Sequence, residues 1–437
     1  MNSQERTKIV SIDVEDIRFR FPALGDGSDA INPHTDYSNP CVTVTSDRGA
    51  GVGIGFSLGR GNEQICSAVT ELAPLLIGKT LEEVLFDFGR FKWTLSNPIQ
   101  SRWIAPGAGS YYMAGGAIMN AVFDLWAKLE GKPLWRALSD LEPDQIVRMI
   151  DFRYVSHVLT PFEALETLRR GESRKRALVS ELLDDGIPCY FTTWIGTGKD
   201  ELLSQIREVR SDLGITSFKL KVGSELARDR ARLQAIRKEF DSDEITLFVD
   251  ANQVWSAAEA VRWMRSLSEF EITWIEEPTA PDSVDGHRLI RDQLSELGIE
   301  VVTGENCPNP QLATQFIADG AVDRFQIDAC RMMGVADCLL VYLVAAKHGI
   351  PVCPHAGGSG LDELVPHLAA WNHVSCAQSF DRVEVEQVGF CSHFFVQPSE
   401  VRGGRITVPR LPGYIVGLTD DAKSRYRFPD GPAWRKE

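Results

Sequence analysis

A chain of 437 residues, 43% hydrophobic and 24% charged, has the apolar content for a large core and the length for two domains. Its 61 acidic and 46 basic side chains leave a formal charge of -15, which argues against nucleic acid or an anionic membrane as the main partner. An acidic chain needs a local cation to hold an acidic substrate, and a metal would supply one.

Nine cysteines, odd in number and without a C-x-x-C pair, suggest neither a disulfide framework nor a structural zinc site. They fit the reduced thiols of the cytoplasm, the expected location. No apolar signal core follows Met1-Asn2-Ser3-Gln4-Glu5-Arg6, and no run of eighteen apolar residues could span a membrane.

In chain order, residues from Lys8 to Phe56 read as strands, beginning at Ile9-Val10-Ser11-Ile12 and resuming at Cys41-Val42-Thr43-Val44-Thr45. Gly25 to Pro40 between them is a loop by composition. Gly51-Val52-Gly53-Ile54-Gly55 lacks the G-x-G-x-x-G spacing of a dinucleotide loop and reads as a glycine-rich hairpin. Gly78-Lys79-Thr80 lacks the upstream glycine of a P-loop. Ala117, Ala121, Leu125 and Leu129 recur at helical spacing, and Gly131 with Pro133 closes that helix. Residues 1–150 are thus expected to form an α+β unit.

Beyond Gly186 strands and helices alternate. Strands are expected at Tyr190–Trp194, Ser217–Val222, Thr246–Val249, Thr273–Ile275, Glu300–Thr303, Arg324–Ile327 and Pro351–Cys353, with a last one near Val374 to Val388. One intervening helix runs from Ala257 to Leu267 behind a Ser256/Glu259 capping box, and another from Val335 to His348 stops at Gly349. Eight strands in βα alternation fit a (β/α) barrel over residues 151–395 better than an open sheet. The Gly- and Pro-rich tail, 396–437, is too short for a domain and is expected to pack back on the first one.

Barrel chemistry sits where strands run out into βα loops. In Thr216-Ser217-Phe218-Lys219-Leu220-Lys221-Val222-Gly223, Lys219 and Lys221 share one strand face. Two adjacent ammonium groups repel, so at least one pKa is expected to fall and supply a neutral base. The next three strands end at Asp250, Glu276 and Glu305, 26 and then 29 residues apart, each about one βα unit. Three hard oxygen ligands without cysteine or histidine suit Mg²⁺. Two further strand ends bring Asp328 and His355, and a carboxylate beside an imidazole fixes its tautomer and raises its pKa, as a general acid or base requires.

Lys-x-Lys, then Asp, Glu, Glu, then an Asp/His dyad on successive barrel strands resembles the enolase superfamily in its mandelate-racemase-like branch. Within that branch the chain is most similar to the L-fuconate dehydratases. The likeness is carried by Gly27-Ser28-Asp29-Ala30, Asp36-Tyr37-Ser38, Arg102-Trp103-Ile104, Asp124-Leu125-Trp126-Ala127-Lys128, Asp151-Phe152-Arg153-Tyr154, Trp274-Ile275-Glu276-Glu277-Pro278-Thr279, Pro351-Val352-Cys353-Pro354-His355-Ala356-Gly357-Gly358 and Pro429-Asp430-Gly431. The resemblance implies a modified TIM barrel with an N-terminal α+β capping domain that the C-terminal tail completes. It implies Mg²⁺ on Asp250, Glu276 and Glu305, Lys221 as base with Lys219 as its electrostatic neighbour, and His355, oriented by Asp328, as acid. It places Glu386 on the substrate carboxylate. Asn252, with Asp29, Tyr37 and Trp103 of the capping domain, is expected to contact substrate. Asn306 and Pro308 stand where the family usually has Gln and His, and Val388-Gly389-Phe390-Cys391-Ser392 lacks its acidic and histidine residues.

The implied activity is dehydration of an acid sugar to a 2-keto-3-deoxy acid by a homo-oligomer, L-fuconate being the implied substrate. A 2-hydroxy-acid racemase or epimerase, a dehydratase of another acid sugar, a Schiff-base aldolase and a non-catalytic barrel are the alternatives.

Overall fold

The computed structural model describes residues 6–21, 25–33, 36–55, 61–104, 107–415 and 417–435. Met1 to Glu5, His34 and Thr35 of the predicted loop, and Phe56 lie outside the described residues.

Strands β1 (Ile9–Arg20), β2 (Asp36–Ser46) and β3 (Gly49–Ile54) form an antiparallel sheet in that order. Ser46 pairs with Gly49, so Asp47-Arg48 makes a two-residue hairpin turn, and the glycine-rich stretch is the second arm of that hairpin. Helices Asn62–Leu72 and Gly109–Leu129 pack on this sheet. The second begins a full two turns before the predicted Ala117 and is buried from Tyr112 through Ala127. It is enclosed on both sides, by β3 and by the barrel, and so carries apolar residues all round.

Gly51 and Gly53 let β3 lie against this helix backbone. A Cβ on Gly53 would stand 2.3 Å from the Ala117 carbonyl oxygen and 2.4 Å from the Ala121 nitrogen. From the same helix the buried Asp124 carboxylate accepts hydrogen bonds from the Val52 amide (2.7 Å) and from the Tyr414 and Ile415 amides (2.6 and 3.0 Å), and pairs with Lys128 (2.6 Å). One side chain thus ties sheet, helix and C-terminal tail together.

The second sheet contains parallel strands β4 (Ile187–Thr193), β5 (Ser217–Lys221), β6 (Thr246–Asp250), β7 (Ile272–Glu276), β8 (Glu300–Thr303), β9 (Arg324–Phe325) and β10 (Val385–Gln387), with β10 returning to pair with β4. The position between β9 and β10 holds a single bridge, Phe325 to Val352, where a strand is predicted over Pro351–Cys353. The Cys353 amide donates to the Phe325 carbonyl (2.8 Å) and the His355 amide to the Ile327 carbonyl (3.0 Å), so the bonding toward β9 runs on past Pro354. The predicted final strand is shorter than expected. Val374 extends the buried helix Leu361–Asn372 through a wider turn at His373–Ala377, and the strand begins only at Val385. The capping box at Ser256 and the Gly349 terminus stand as predicted.

The tail first adds a hairpin, β11 (Val401–Arg402) and β12 (Arg405–Ile406), antiparallel to the start of β4. It then reaches the first sheet, where Arg427 bridges Ile17 and the Trp434 indole donates to the Arg18 carbonyl at 3.2 Å. No helix among the described residues is long and apolar enough to cross a membrane.

The β3–helix contact generates a stability prediction. Gly53→Ala should cost roughly 1–3 kcal/mol or more, because the atoms it meets are backbone and cannot yield. Gly198→Ala, with open space around its Cβ, should leave the denaturation midpoint unchanged. Equal midpoints for both variants in chemical denaturation would refute the close-packing argument.

Candidate active site

The site begins with strand register. Lys221 pairs with Asp250, and Asp250 with Glu276, so three residues of neighbouring strands stand in one row inside the barrel mouth. One row deeper, Lys219 pairs with Phe248 and Phe248 with Trp274. Tyr190, Phe248, Trp274 and Val302 form a separate buried cluster, in which the Phe248 and Trp274 rings stack with centroids 3.4 Å apart. The charged row therefore rests on a dry aromatic floor.

Asp250, Glu276 and Glu305 each offer an oxygen, all within 4.8 Å of one another, and all three residues are buried. Among the described residues, Glu276 Oε2 and Glu305 Oε2 are buried without hydrogen-bond partners. Buried acceptors left open cost folding free energy, so their convergence is the geometry of a cation site. Charge says the same. Among the described residues, the buried carboxyl groups of Asp250, Glu276, Glu277, Glu305, Asp328 and Glu386 outnumber the basic groups of Lys219, Lys221 and His355. Burial, with Asp250, Glu305 and Glu386 nearby, overcomes Lys219 and pushes the Glu276 carboxyl up to about 8. A divalent metal fits this donor set.

Lys219, fully buried, reaches Glu276 at 2.7 Å, Glu386 at 2.8 Å and Asp250 at 3.7 Å, while Lys221 reaches Asp250 at 2.5 Å. The expectation that mutual repulsion lowers a lysine pKa is not met in this arrangement. Burial lowers the Lys221 pKa and Lys219 lowers it further, but Asp250, Glu305 and Glu276 together outweigh both and the net shift is upward. Carboxylates outnumber ammonium groups here, which a count of lysines alone could not reveal. Glu386 also accepts from Thr192 Oγ1 (2.5 Å) and the Ala356 amide (2.9 Å), and despite burial Lys219 and His355 hold its carboxyl well below the usual range.

At the far end of the row, His355 Nδ1 lies 3.1 Å from Asp328 Oδ2 and His355 Nε2 lies 3.4 Å from Glu305 Oε2. Asp328 is itself held by the Cys330 amide at 2.6 Å. Burial alone would lower the His355 pKa, but Glu305 and the Asp328 hydrogen bond raise it to about 10. Lys221 on Asp250 and His355 on Glu305 thus flank one row of carboxyl groups.

The predicted substrate contacts divide. Asn252 is beside the row, its amide donating to Asp250 Oδ1 at 2.8 Å, with its buried Oδ1 unpartnered among the described residues. Tyr37 is buried and packs on Phe21 and Phe390, whose ring also meets Trp194. The Trp194 ring centroid is 5.9 Å from Lys221 Nζ, so this aromatic group reaches the base position. Asp29 turns inward on its own loop, accepting from the Ile31 and Asn32 amides, both at 2.7 Å. Trp103 is 85% exposed, beside Asn97, Gln100 and Arg102, apart from the carboxylate row.

Sequence reasoning passed over Glu277. It is fully buried at a positive φ of 44°, and its carboxylate accepts from Gln253 Nε2 (2.8 and 2.9 Å) and Asn306 Nδ2 (3.0 Å). Asn306 also donates to Glu305 Oε1 at 3.3 Å. Its signal was available, since two consecutive glutamates at a strand end cannot both face the barrel axis.

A parallel α/β barrel with three convergent carboxyl groups at its mouth has the architecture of a metal-dependent enzyme. The chain belongs to the enolase superfamily. Residues 201–422 match the model of the enolase C-terminal domain-like family. Mitochondrial enolase superfamily member 1 of Homo sapiens is 40% identical over 436 residues, covering 99% of this chain and 98% of the relative. Its crystal structure covers 98% of each chain with a TM-score of 0.95. L-galactonate dehydratase of Hypocrea jecorina is 40% identical over 427 residues, 96% of this chain and 94% of that one. More distantly, L-talarate/galactarate dehydratase from Salmonella typhimurium LT2, solved with Mg and L-lyxarohydroxamate, shares the fold at a TM-score of 0.74 and 24% identity, over 98% of this chain and 94% of that one.

The metal reading predicts ligand-linked stability. Mg²⁺ at a hundred times its dissociation constant should stabilise the protein by about 2.7 kcal/mol, read as a higher Tm that chelator reverses. Asp250→Asn should abolish the rise. A Tm indifferent to Mg²⁺ and Mn²⁺ would exclude the site.

Proposed function

We propose that the protein is a Mg²⁺-dependent acid-sugar dehydratase, with L-fuconate as its substrate. The observation that carries this reading is the carboxylate row flanked by Lys221 at one end and by His355, backed by Asp328, at the other. Asp250, Glu276 and Glu305 would hold the metal. When bound, Mg²⁺ supplies positive charge to the substrate carboxylate and to the negative charge that grows on it, the established solution of this superfamily.

The chain's own residues do the rest. Lys221 Nζ, neutral once a metal held on Asp250 offsets the carboxylate charge that keeps it protonated, takes the C2 proton while the C2 electron pair moves toward the substrate carboxylate. Collapse of that charge expels the 3-hydroxyl, which leaves as water with a proton from His355 Nε2. The resulting enol tautomerises to the 2-keto-3-deoxy acid. Asp328, on Nδ1, keeps Nε2 aimed at the leaving group. Lys219, fixed between Glu276 and Glu386, holds positive charge below the reacting carbon. The apolar floor excludes water from that side.

The named activity of the Hypocrea jecorina relative supports the substrate class. L-galactonate and L-fuconate have the same configuration and differ only at C6, hydroxymethyl against methyl. A racemase would use the same two proton-transfer groups, and product analysis separates the two. A Schiff-base aldolase would leave three converging carboxylates without purpose.

Purified protein with Mg²⁺ should form 2-keto acid from L-fuconate, and chelator should stop it. Lys221→Ala and His355→Asn should each lower kcat/KM by roughly 10²–10⁴-fold. Faster turnover of L-galactonate would keep the mechanism and change the substrate. C2 epimerisation without keto acid would establish the racemase instead.

A further inference from the structure

Helix Leu226–Glu239, which follows the Lys-x-Lys strand, presents Arg228, Asp229 and Arg232 to the loops at the ends of β4 and β5. Arg232 is 2% exposed, an unusual place for a guanidinium. Its Nη1 donates to the Lys221 carbonyl at 2.8 Å and its Nη2 to the Trp194 carbonyl at 3.1 Å. One planar fork therefore spans the ends of two neighbouring strands, a geometry that lysine cannot supply. Asp229, also buried, accepts from the Gly223 amide at 2.8 Å and fixes the next turn of the same loop.

The clamp continues into the capping domain. Arg228 Nη2 donates to the Ile195 carbonyl at 2.6 Å, and the Ile195 amide donates to the Ser28 carbonyl at 3.2 Å. Asp26 hydrogen-bonds the Trp194 indole. A chain of hydrogen bonds thus runs from the capping loop at Asp26–Ser28, through Trp194 and Ile195, to Arg232 and the backbone of Lys221. Holding strand ends together requires only neutral donors, and burying a charge for that purpose is costly. The cost is offset if the exact placement of Lys221 matters.

We propose that Arg232 is a positioning residue that sets Lys221 against C2 of the substrate and, through Trp194 and the Arg228–Ile195 contact, links its placement to docking of the capping loop. This rests on the reading of Lys221 as the base. An error near 1 Å in the reacting geometry can cost roughly a hundredfold in rate, so a residue that never touches substrate can govern the proton-transfer step.

The test compares wild type, Arg232→Gln and Arg232→Lys, each with Mg²⁺ and the best acid sugar of the wild type, in protio and C2-deuterated form. Arg232→Gln should lower kcat by roughly 10- to 100-fold with KM within about twofold, and should enlarge the deuterium isotope effect on kcat/KM. Arg232→Lys, which keeps the charge and one carbonyl contact, should fall between. An isotope effect does not depend on the fraction of folded enzyme. A loss of activity that leaves it unchanged, or no loss at all, overturns the proposal. Should Arg232→Gln fail to fold, Arg232→Lys carries the same comparison. Wild type inert toward every acid sugar would fail the dehydratase reading alone. Crystal structures of wild type and variant then decide, a Lys221 that does not move counting against the proposal.

Discussion

Buried carboxyl groups outnumber basic side chains in the upper interior of this barrel, above a floor of Tyr190, Phe248, Trp274 and Val302. Little water is available to screen them, so each charge is tolerable only in the company of the others. Lys219 illustrates this. Fully buried, it is held by Glu276 and Glu386 on opposite sides, and removing either partner would strand a charge in low dielectric. The excess of carboxyl groups over basic ones is what a dication would balance, so the cost of assembling the cluster and its capacity to bind metal are one fact.

Such a cluster demands precise register. Parallel pairing places Lys221, Asp250 and Glu276 in one row, and a slip of one residue would turn each side chain away from the axis. Helices packed outside the barrel, with the clamp of Arg232 across β4 and β5, oppose that slip. The capping sheet is fixed by equally specific means. Asp124 joins it to the tail, and buried Lys92, on the capping-domain helix Phe88–Ser96, pairs with Asp337 of the barrel helix Val335–His348 at 2.5 Å.

Much of this was legible in the chain, for physical reasons. Strand-end carboxylates one βα unit apart, a capping box and a terminal glycine are local signals, and they hold because no tertiary contact opposes them. What escaped was non-local. Val352 forms a lone bridge, and Val374 is drawn into the buried helix before it. The lysine pair has the opposite electrostatics to those read from two ammonium groups alone, because Glu276 and Glu386, the latter more than 160 residues away in sequence, fold onto Lys219 and Asp250 onto Lys221. Trp103 offered no local signal of its exposure, since a tryptophan in a loop reads the same whether it faces a site or solvent.

The departure at Asn306 is a case where position in space changes the meaning of a sequence difference. Read linearly, a residue next to metal-ligand candidate Glu305 belongs to the substrate pocket. In the fold its amide turns away from the mouth, donating to Glu277 and to Glu305 Oε1, where Gln253 closes the same network. Asparagine there supports the ligand from behind, as outer hydrogen-bonding groups do in metal sites. The apolar Val388–Ser392 segment behaves differently. The Val388 and Gly389 amides are anchored on Asp362, which leaves Phe390 to join Phe21, Tyr37 and Trp194 at the seam between cap and barrel. Of the two departures, this one lies on the aromatic surface that reaches Lys221, whereas Asn306 bears on the site through Glu305 and Glu277.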